Sequence, residues 1–264
     1  MMKTGQITVL VIFLITLFSS CSEYEKVLKS SNATLKYDKA MEYYKDGDYA
    51  RASTLFEQLI PYTRGTAQAD TISYYHAVSY YKQRDYILAG HYFKEFTKDF
   101  PKDKFSEEAE YMGAYCFYLT SPRPELDQTN TYKAIQSFQL FMVKYPNSKH
   151  VPDCMKLIEE LRNKLINKSY MSAKLYYNLG DYKSSIIALR NSLNEYPDTK
   201  YREEIMFLIL KSNYLLADNS VTSKQKERFQ ATMDEYYSFV SEFPDSPYND
   251  EVKQIYNAAS NYLN

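Results

Sequence analysis

Apolar and polar residues alternate along this chain with a helical period, and one short phrase interrupts the alternation four times. Between interruptions, large apolar or aromatic residues fall three or four positions apart, which places them on one face of an α-helix. The phrase is an aromatic residue, a proline and then turn-formers: Phe100-Pro101-Lys102-Asp103, Tyr145-Pro146-Asn147-Ser148, Tyr196-Pro197-Asp198-Thr199 and Phe243-Pro244-Asp245-Ser246. Proline disfavours helical geometry in the residue before it, so each phrase ends a helix. The Asp, Asn, Ser or Thr that follows can accept from N–H groups left open as the next helix begins. Acidic pairs, Glu107-Glu108, Glu203-Glu204 and Asp250-Glu251, then fall in or near first turns, where the helix dipole favours negative charge. The prolines recur every 45 to 51 residues or so, a period that marks a helical repeat array.

The repeats can be indexed. Ala40, Tyr43, Tyr49, Ala52 and Phe56 recur at the same offsets as Ala77, Tyr80, Tyr86, Ala89 and Phe93, and again as Ala173, Tyr176, Tyr182, Ser185 and Leu189. This resembles the tetratricopeptide repeat, in which small residues let paired helices approach and a large residue fills the neighbouring groove. Tyr43, Tyr80 and Tyr176 take the packing position. Gly47-Asp48, Arg84-Asp85 and Gly180-Asp181 occupy the turn inside each pair. A third unit is stretched by the loop Ser121–Asn130, with Pro122 and Pro124, and a fifth by an insert at Asp218–Thr222. Between Pro146 and Ala173 the helical pattern runs on without a break, predicting one long helix from about Asp153 to Leu179, roughly 40 Å. The expected fold is all-α: a right-handed α-solenoid of about five tetratricopeptide-like helix pairs plus a C-terminal capping helix. The expected organisation is front repeats 1–3 over 33–152, then the long linking helix, repeats 4–5 and the terminal helix over 153–264.

The first twenty residues change that picture only at its edge. Met1-Met2-Lys3 followed by the apolar run Ile7–Phe18 has signal-peptide proportions and is too short to span a bilayer comfortably. The run stops at Ser19-Ser20-Cys21, which looks like a bacterial lipobox. Residues 1–20 are therefore expected as a lipoprotein signal peptide, Cys21 as the lipidation site and 21–32 as a lipid-anchored tether. The alternative is an ordinary signal peptide cut near Ser20. Cys116 and Cys154 are expected as buried free thiols; a bond between them stays open, because sequence does not give their separation. Tyr is abundant at 29, Gly scarce at 6, Trp absent, and the formal net charge of −1 argues against a nucleic-acid binder.

Candidate chemistry is sparse. His76, His91 and His150 are scattered and expected at partly buried or surface helix positions. No phosphate loop, nucleophile elbow or metalloprotease motif is present, so no catalytic residue, metal or cofactor is assigned and an enzyme is not expected. The tyrosines are the exception. Tyr44, Tyr74, Tyr75, Tyr81, Tyr115 and Tyr118 lie on first helices of their pairs and are candidates for a peptide groove, since tyrosine offers a large, stiff, amphipathic surface. Each is weighed against an ordinary half-buried helix position.

A more specific resemblance lies in the middle of the chain: Ser121-Pro122-Arg123, Glu125 to Thr129, Tyr145 to Ser148, Leu161-Arg162 with Lys164-Leu165, and Tyr176-Tyr177 with Gly180, Tyr182 and Lys183. With the lipobox and repeat number, the chain resembles the BamD family, lipoproteins of the outer-membrane β-barrel assembly machinery. The resemblance implies an outer-membrane, lipid-anchored adaptor facing the periplasm. Its rear repeats would dock the barrel-forming subunit BamA, other assembly-complex lipoproteins would be partners, and its front repeats would contact unfolded outer-membrane proteins. Arg190, Tyr177 and Arg202 are then partner-interface candidates. Two rivals stay open: another tetratricopeptide-repeat envelope lipoprotein, coordinating cell-wall synthesis or Tol-Pal constriction, and a surface glycan-binding lipoprotein.

Overall fold

The computed structural model describes residues 23–264, so Cys21 and the segment before it lie outside the described residues. All regular structure among the described residues is helical. Helix α1 is described over 23–29. It is followed by α2 (Ala33–Lys45), α3 (Tyr49–Thr63), α4 (Ala69–Lys82), α5 (Tyr86–Asp99), α6 (Ser106–Thr120) and α7 (Thr129–Lys144). Then come α8 (Val151–Asn178), α9 (Tyr182–Glu195), α10 (Arg202–Asp218), α11 (Thr222–Glu242) and α12 (Asn249–Leu263). The chain forms two compact units: one takes the residues up to Pro122 with Asp127–Glu159, the other Arg123–Leu126 with Glu160–Asn264. In the first, α2 to α7 each pack on the next helix in sequence; in the second, α9 to α12 do the same. This is an array of stacked helix pairs.

Small and large residues alternate in the core as the indexing requires. Ala40, Ala52, Ala77, Ala89 and Ser185 are completely buried, which lets the paired helices approach closely. Phe56, Phe93, Phe138, Leu189 and Phe239 are also completely buried and fill the space between pairs. Inside each indexed pair the turn has a left-handed residue: φ is 83° at Gly47, 77° at Gly180 and 64° at Arg84. The next residue caps the following helix. Asp48 accepts from the N–H of Arg51 at 3.2 Å, Asp85 from Leu88 at 3.0 Å and Asp181 from Ser184 at 3.1 Å. Arg84 thus holds a conformation in which glycine suffers no Cβ penalty. An Arg84→Gly variant is expected to gain about 0.5–1 kcal/mol, the relieved strain exceeding the added freedom of the unfolded chain. A higher urea midpoint at constant slope would register it; a lower midpoint would refute the strain.

The four proline phrases build one structure. The backbone N–H two residues after each proline donates to the carbonyl of the aromatic residue, giving Asp103 to Phe100, Ser148 to Tyr145, Thr199 to Tyr196 and Ser246 to Phe243. The side chain of that same residue accepts from an N–H two positions on: Phe105 to Asp103 at 2.8 Å, His150 to Ser148 at 3.2 Å, Tyr201 to Thr199 at 3.2 Å and Tyr248 to Ser246 at 3.1 Å. A fifth copy closes the first pair without a proline. There Thr66 donates its N–H to the Thr63 carbonyl, and its hydroxyl accepts from the N–H of Gln68. With Gly65 at φ 79° in place of the proline signal, sequence reading missed it.

Each proline phrase also delivers a ring. The residue four places after the proline lies flat on an aromatic ring one first-helix earlier. Phe105 stacks on Tyr74 with centroids 4.2 Å apart, His150 on Tyr111 at 4.0 Å, Tyr201 on Tyr170 at 4.1 Å and Tyr248 on Phe207 at 4.2 Å. The interplanar angles run from 5° to 13°. The turn therefore fixes the start of one pair against the middle of the pair before it.

Three expectations are corrected. Residues 23–29, read as tether, are helical and join the core through Val27, while Tyr24 packs edge-on to Tyr43 at 5.8 Å. His76 is neither partly buried nor at the surface: it is 1 % exposed. Tyr176 is exposed, and Tyr177 packs on the second unit's core instead. Positions three and four beyond a buried alanine flank it equally, so neighbouring side chains decide which turns inward. At Ala173 the Lys211 ammonium lies 5.8 Å from the Tyr177 ring, and favours that ring over Tyr176. Cys116 and Cys154 are buried free thiols, burial pushing them up to about 12 and about 11 respectively.

Candidate functional site

In the first unit, the candidate tyrosines lie on α2, α4 and α6 in three groups of ring contacts. Tyr44 meets Tyr75 edge-on at 4.9 Å and Tyr49 at 5.5 Å. Tyr75 meets Tyr74 at 5.7 Å and Phe105 at 6.3 Å. Tyr115 stacks between Tyr118 at 5.5 Å and Tyr111 at 6.0 Å. Tyr81 packs on Tyr86 at 5.6 Å. All six candidates are half-buried, so each ring is held by packing while part of it reaches solvent.

The six are not equivalent. Tyr74 is a rung of the stacked ladder and also packs on Phe93 and Phe96; burial pushes its hydroxyl up to about 12. Its first task is structural. Burial also raises the hydroxyls of Tyr44 and Tyr81, by less. Sequence reading missed Tyr111 and His150. Tyr111 precedes Tyr115 by four residues and Tyr118 by seven, a helical-face spacing that was there to be read. His150 Nε2 lies 2.9 Å from Glu108 Oε2, so the ring stacked on Tyr111 is also held at its edge. Below it, Lys144 is hydrogen-bonded to Glu110, which also accepts from the Tyr145 hydroxyl at 3.4 Å.

The loop Ser121–Asn130 is tied down at both ends. Ser121 and Thr131 share a hydroxyl hydrogen bond of 2.6 Å, and Thr131 donates to Gln128 Oε1 at 2.6 Å. The Lys168 ammonium donates to the Leu126 carbonyl at 2.6 Å, within the second unit.

In the second unit, the partner-interface candidates do different work. Arg202 forks onto Glu242, with Nη2 3.1 Å from Oε2, and donates to the Pro197 carbonyl at 3.1 Å. The hydrogen bond from Arg202 holds the Glu242 carboxyl below its usual range. Arg190, exposed, pairs with Glu235. Tyr177 is a packing residue. A half-buried network joins α8 to α10. Lys174 donates to the Tyr170 hydroxyl at 2.8 Å and to Glu204 at 2.6 Å. Burial pushes the Glu204 carboxyl up, but the bonds from Lys174 and Tyr170 outweigh it and leave it below the ordinary value. Among the described residues no helix is long and apolar enough to cross a membrane, and no cluster of metal-ligating side chains occurs.

Residues 29–228 and 176–264 match the model of the YfiO family, described as outer membrane lipoprotein. The chain is similar to the putative outer membrane protein assembly factor BamD of Aquifex aeolicus (strain VF5): 27 % identical over 221 residues, covering 83 % of this chain and 72 % of the relative. It is also similar to the outer membrane protein assembly factor BamD of Rickettsia prowazekii (strain Madrid E), 23 % identical over 108 residues, or 41 % of this chain and 43 % of that protein. Among solved structures, the TPR2AB domain of yeast Sti1, in a complex with pHSP90, aligns at a TM-score of 0.40 with 12 % identity. That alignment covers 86 % of this chain and 98 % of that one.

Proposed function

The chain belongs to the YfiO family of outer membrane lipoproteins, and from that premise we propose that it is a non-enzymatic adaptor in the assembly of outer-membrane β-barrels, lipid-anchored through Cys21 and facing the periplasm. The first unit takes extended segments of unfolded barrel proteins, and the second docks the barrel-forming subunit BamA. The observation that carries the first half is the set of half-buried tyrosines, Tyr44, Tyr75, Tyr81, Tyr115 and Tyr118, which packing has already ordered. Rings held in place lose little rotamer freedom on binding, and their hydroxyls serve the open N–H and C=O groups of an extended chain.

The test begins with affinity purification of the full-length lipoprotein from detergent-solubilised membranes. Recovery of BamA, with several outer-membrane barrels falling together on depletion, supports the reading; recovery of Tol-Pal components or a nutrient porin in its place defeats it. Charge reversal then assigns the surface. Arg190 and Arg202 lie in exposed or half-exposed ion pairs, which are worth roughly 0–1 kcal/mol each. Arg190→Glu/Arg202→Glu is therefore expected to keep its fold, lose BamA in the purification and retain cross-linking to unfolded substrate at Tyr75. Loss of both together would mean a folding defect instead.

A further inference from the structure

On the first unit, a cleft of about 420 Å³ opens between α5, α6 and α7. Its floor is apolar: Phe93 from α5, with Ala109, Ala114 and Phe117 from α6. Two helix-interior glycines, Gly90 and Gly113, also line it. Each costs its helix about 1 kcal/mol relative to alanine. Gly90 has a packing reason, since a Cβ there would come within 3.1 Å of Cys116 Cβ. Gly113 has none of that kind. A Cβ would meet Phe93 Cβ at 3.6 Å, an ordinary contact, and its φ is not in the left-handed region. The bare position leaves that part of the cleft wall without a side chain.

The two ridges beside the cleft share a pattern. On α5, Ile87, Gly90, Lys94 and Thr97 follow one another at spacings of three, four and three; on α7, Lys133, Gln136, Leu140 and Val143 do the same. Those spacings put each set on one helix face. Ile87 is 75 % exposed, Leu140 59 % and Val143 81 %, so the ridges carry apolar surface well beyond the cleft. Lys94 and Lys133 stand exposed on opposite lips, the Lys133 ammonium 5.8 Å from the Phe117 ring. The carboxylate in the lining, Glu110, is engaged by Lys144. The lip is therefore basic and the floor apolar. The set Tyr111, Tyr115 and Tyr118 is centred roughly 130° round α6 from the set Glu110, Gly113 and Phe117, at about 100° per residue, with the lining residue Ala114 between them.

We propose that this cleft and its two ridges form a docking groove for an amphipathic segment of a partner protein, with apolar side chains entering the cleft and carboxylates meeting Lys94 and Lys133. The ridge residues favour a polypeptide over a small amphiphile, because a ligand confined to the cleft leaves Ile87 and Val143 bare. The lysines select acidic character. No candidate tyrosine and no residue of the second unit lines the cleft.

The test uses the full-length lipoprotein in its own membranes, with a photo-cross-linking amino acid replacing Gln136, which lines the cleft and is exposed. The expected adduct maps by mass spectrometry to a segment that alternates apolar residues with Asp or Glu. Its yield is expected to fall about tenfold or more in Lys94→Glu/Lys133→Glu, tenfold corresponding to 1.4 kcal/mol, and to fall similarly in Gly113→Leu, which fills the cleft. Lys45→Glu/Lys102→Glu, which reverses two exposed lysines elsewhere on the unit, should leave it unchanged. Lys94→Gln/Lys133→Gln should give an intermediate yield, and Gly113→Ala a stable protein that still cross-links; both keep the test alive if a bulkier variant unfolds. The proposal is overturned by no adduct, or by an adduct to lipid, to a second copy or to residues 1–22 of the same chain. A segment lacking acidic residues, or a yield indifferent to charge reversal, overturns it as well.

Discussion

Between pH 7 and pH 5 the parent protein is expected to lose about 2 kcal/mol of stability that a His76→Phe variant keeps. His76 is 1 % exposed, and neither ring nitrogen is hydrogen-bonded to a described residue. The imidazole lies against the Tyr92 ring at 4.3 Å and the Tyr80 ring at 5.2 Å. No charged side chain of α4 or α5 is paired with it among the described residues. Burial lowers it from 6.5 to about 4. Between those values the unfolded chain binds a proton that the folded chain refuses. Stability therefore rises with pH through the window and is lost as the pH falls from 6.5 toward 4. The full effect, about 2.5 pH units at 1.36 kcal/mol each, is a little over 3 kcal/mol. Phenylalanine preserves the ring contacts and cannot be protonated. Urea unfolding at pH 5, 6 and 7, followed by helical circular dichroism, reads the difference between parent and variant, in which His91, His150 and the carboxylates cancel. Equal slopes for the two proteins would show that His76 is protonated in the fold or is solvated there.

Sequence revealed the array and missed much of how its units are joined. The proline phrases were legible because backbone chemistry permits few residues at a helix stop followed by an Asx- or Ser-type turn, and all four fold alike. The buried alanines were legible because a side chain larger than methyl would separate the helices. The ladder was not legible. Its partners are a full helix pair apart, the ring at the turn is Phe, His or Tyr, and the loop inserts change the separation from one pair to the next. Stacking asks for a flat ring rather than a particular residue, so identity carries little signal. Tyr176 and Tyr177 fail for a related reason: the period places both beside Ala173, and only the neighbouring helix distinguishes them. For the candidate site, the sequence named tyrosines that fall in three groups of ring contacts, yet it gave Tyr74 the same standing as Tyr75. Only packing separates a ring clamped between Phe93, Phe96 and Phe105 from its neighbour in the chain.

The ladder gives the largest expected mutational effect, and Tyr170 is the place to measure it. Its ring is 7 % exposed, lies 4.1 Å from Tyr201 and sits in the core of the second unit with Ala173, Leu189 and Ile205. Burial pushes its hydroxyl up to about 12, and the oxygen accepts from Lys174, which also bonds Glu204. Removing the ring deletes a large buried surface and leaves a cavity, so Tyr170→Ala is expected to cost about 3–5 kcal/mol. Tyr170→Phe keeps the stack and loses the hydroxyl's bonds to Lys174 and Glu204, for about 1.5–3 kcal/mol, or less if Lys174 turns wholly to Glu204. The turn residue discriminates further. If the ladder fixes each pair on the last, Tyr201→Phe should be nearly neutral, since the ring is conserved and the Tyr201 hydroxyl has only a 3.3 Å contact to Asn167. Tyr201→Ala should lose most of the stacking contribution without opening a deep cavity, because Tyr201 is half-buried. Hydrogen exchange locates the damage: faster exchange at the start of α10 in Tyr201→Ala, with α11 and α12 little changed, is the signature of a loosened joint. Uniform acceleration across α9 to α12 would mean that the rung stabilises the unit as a whole and that the pairs are not joined there one to the next.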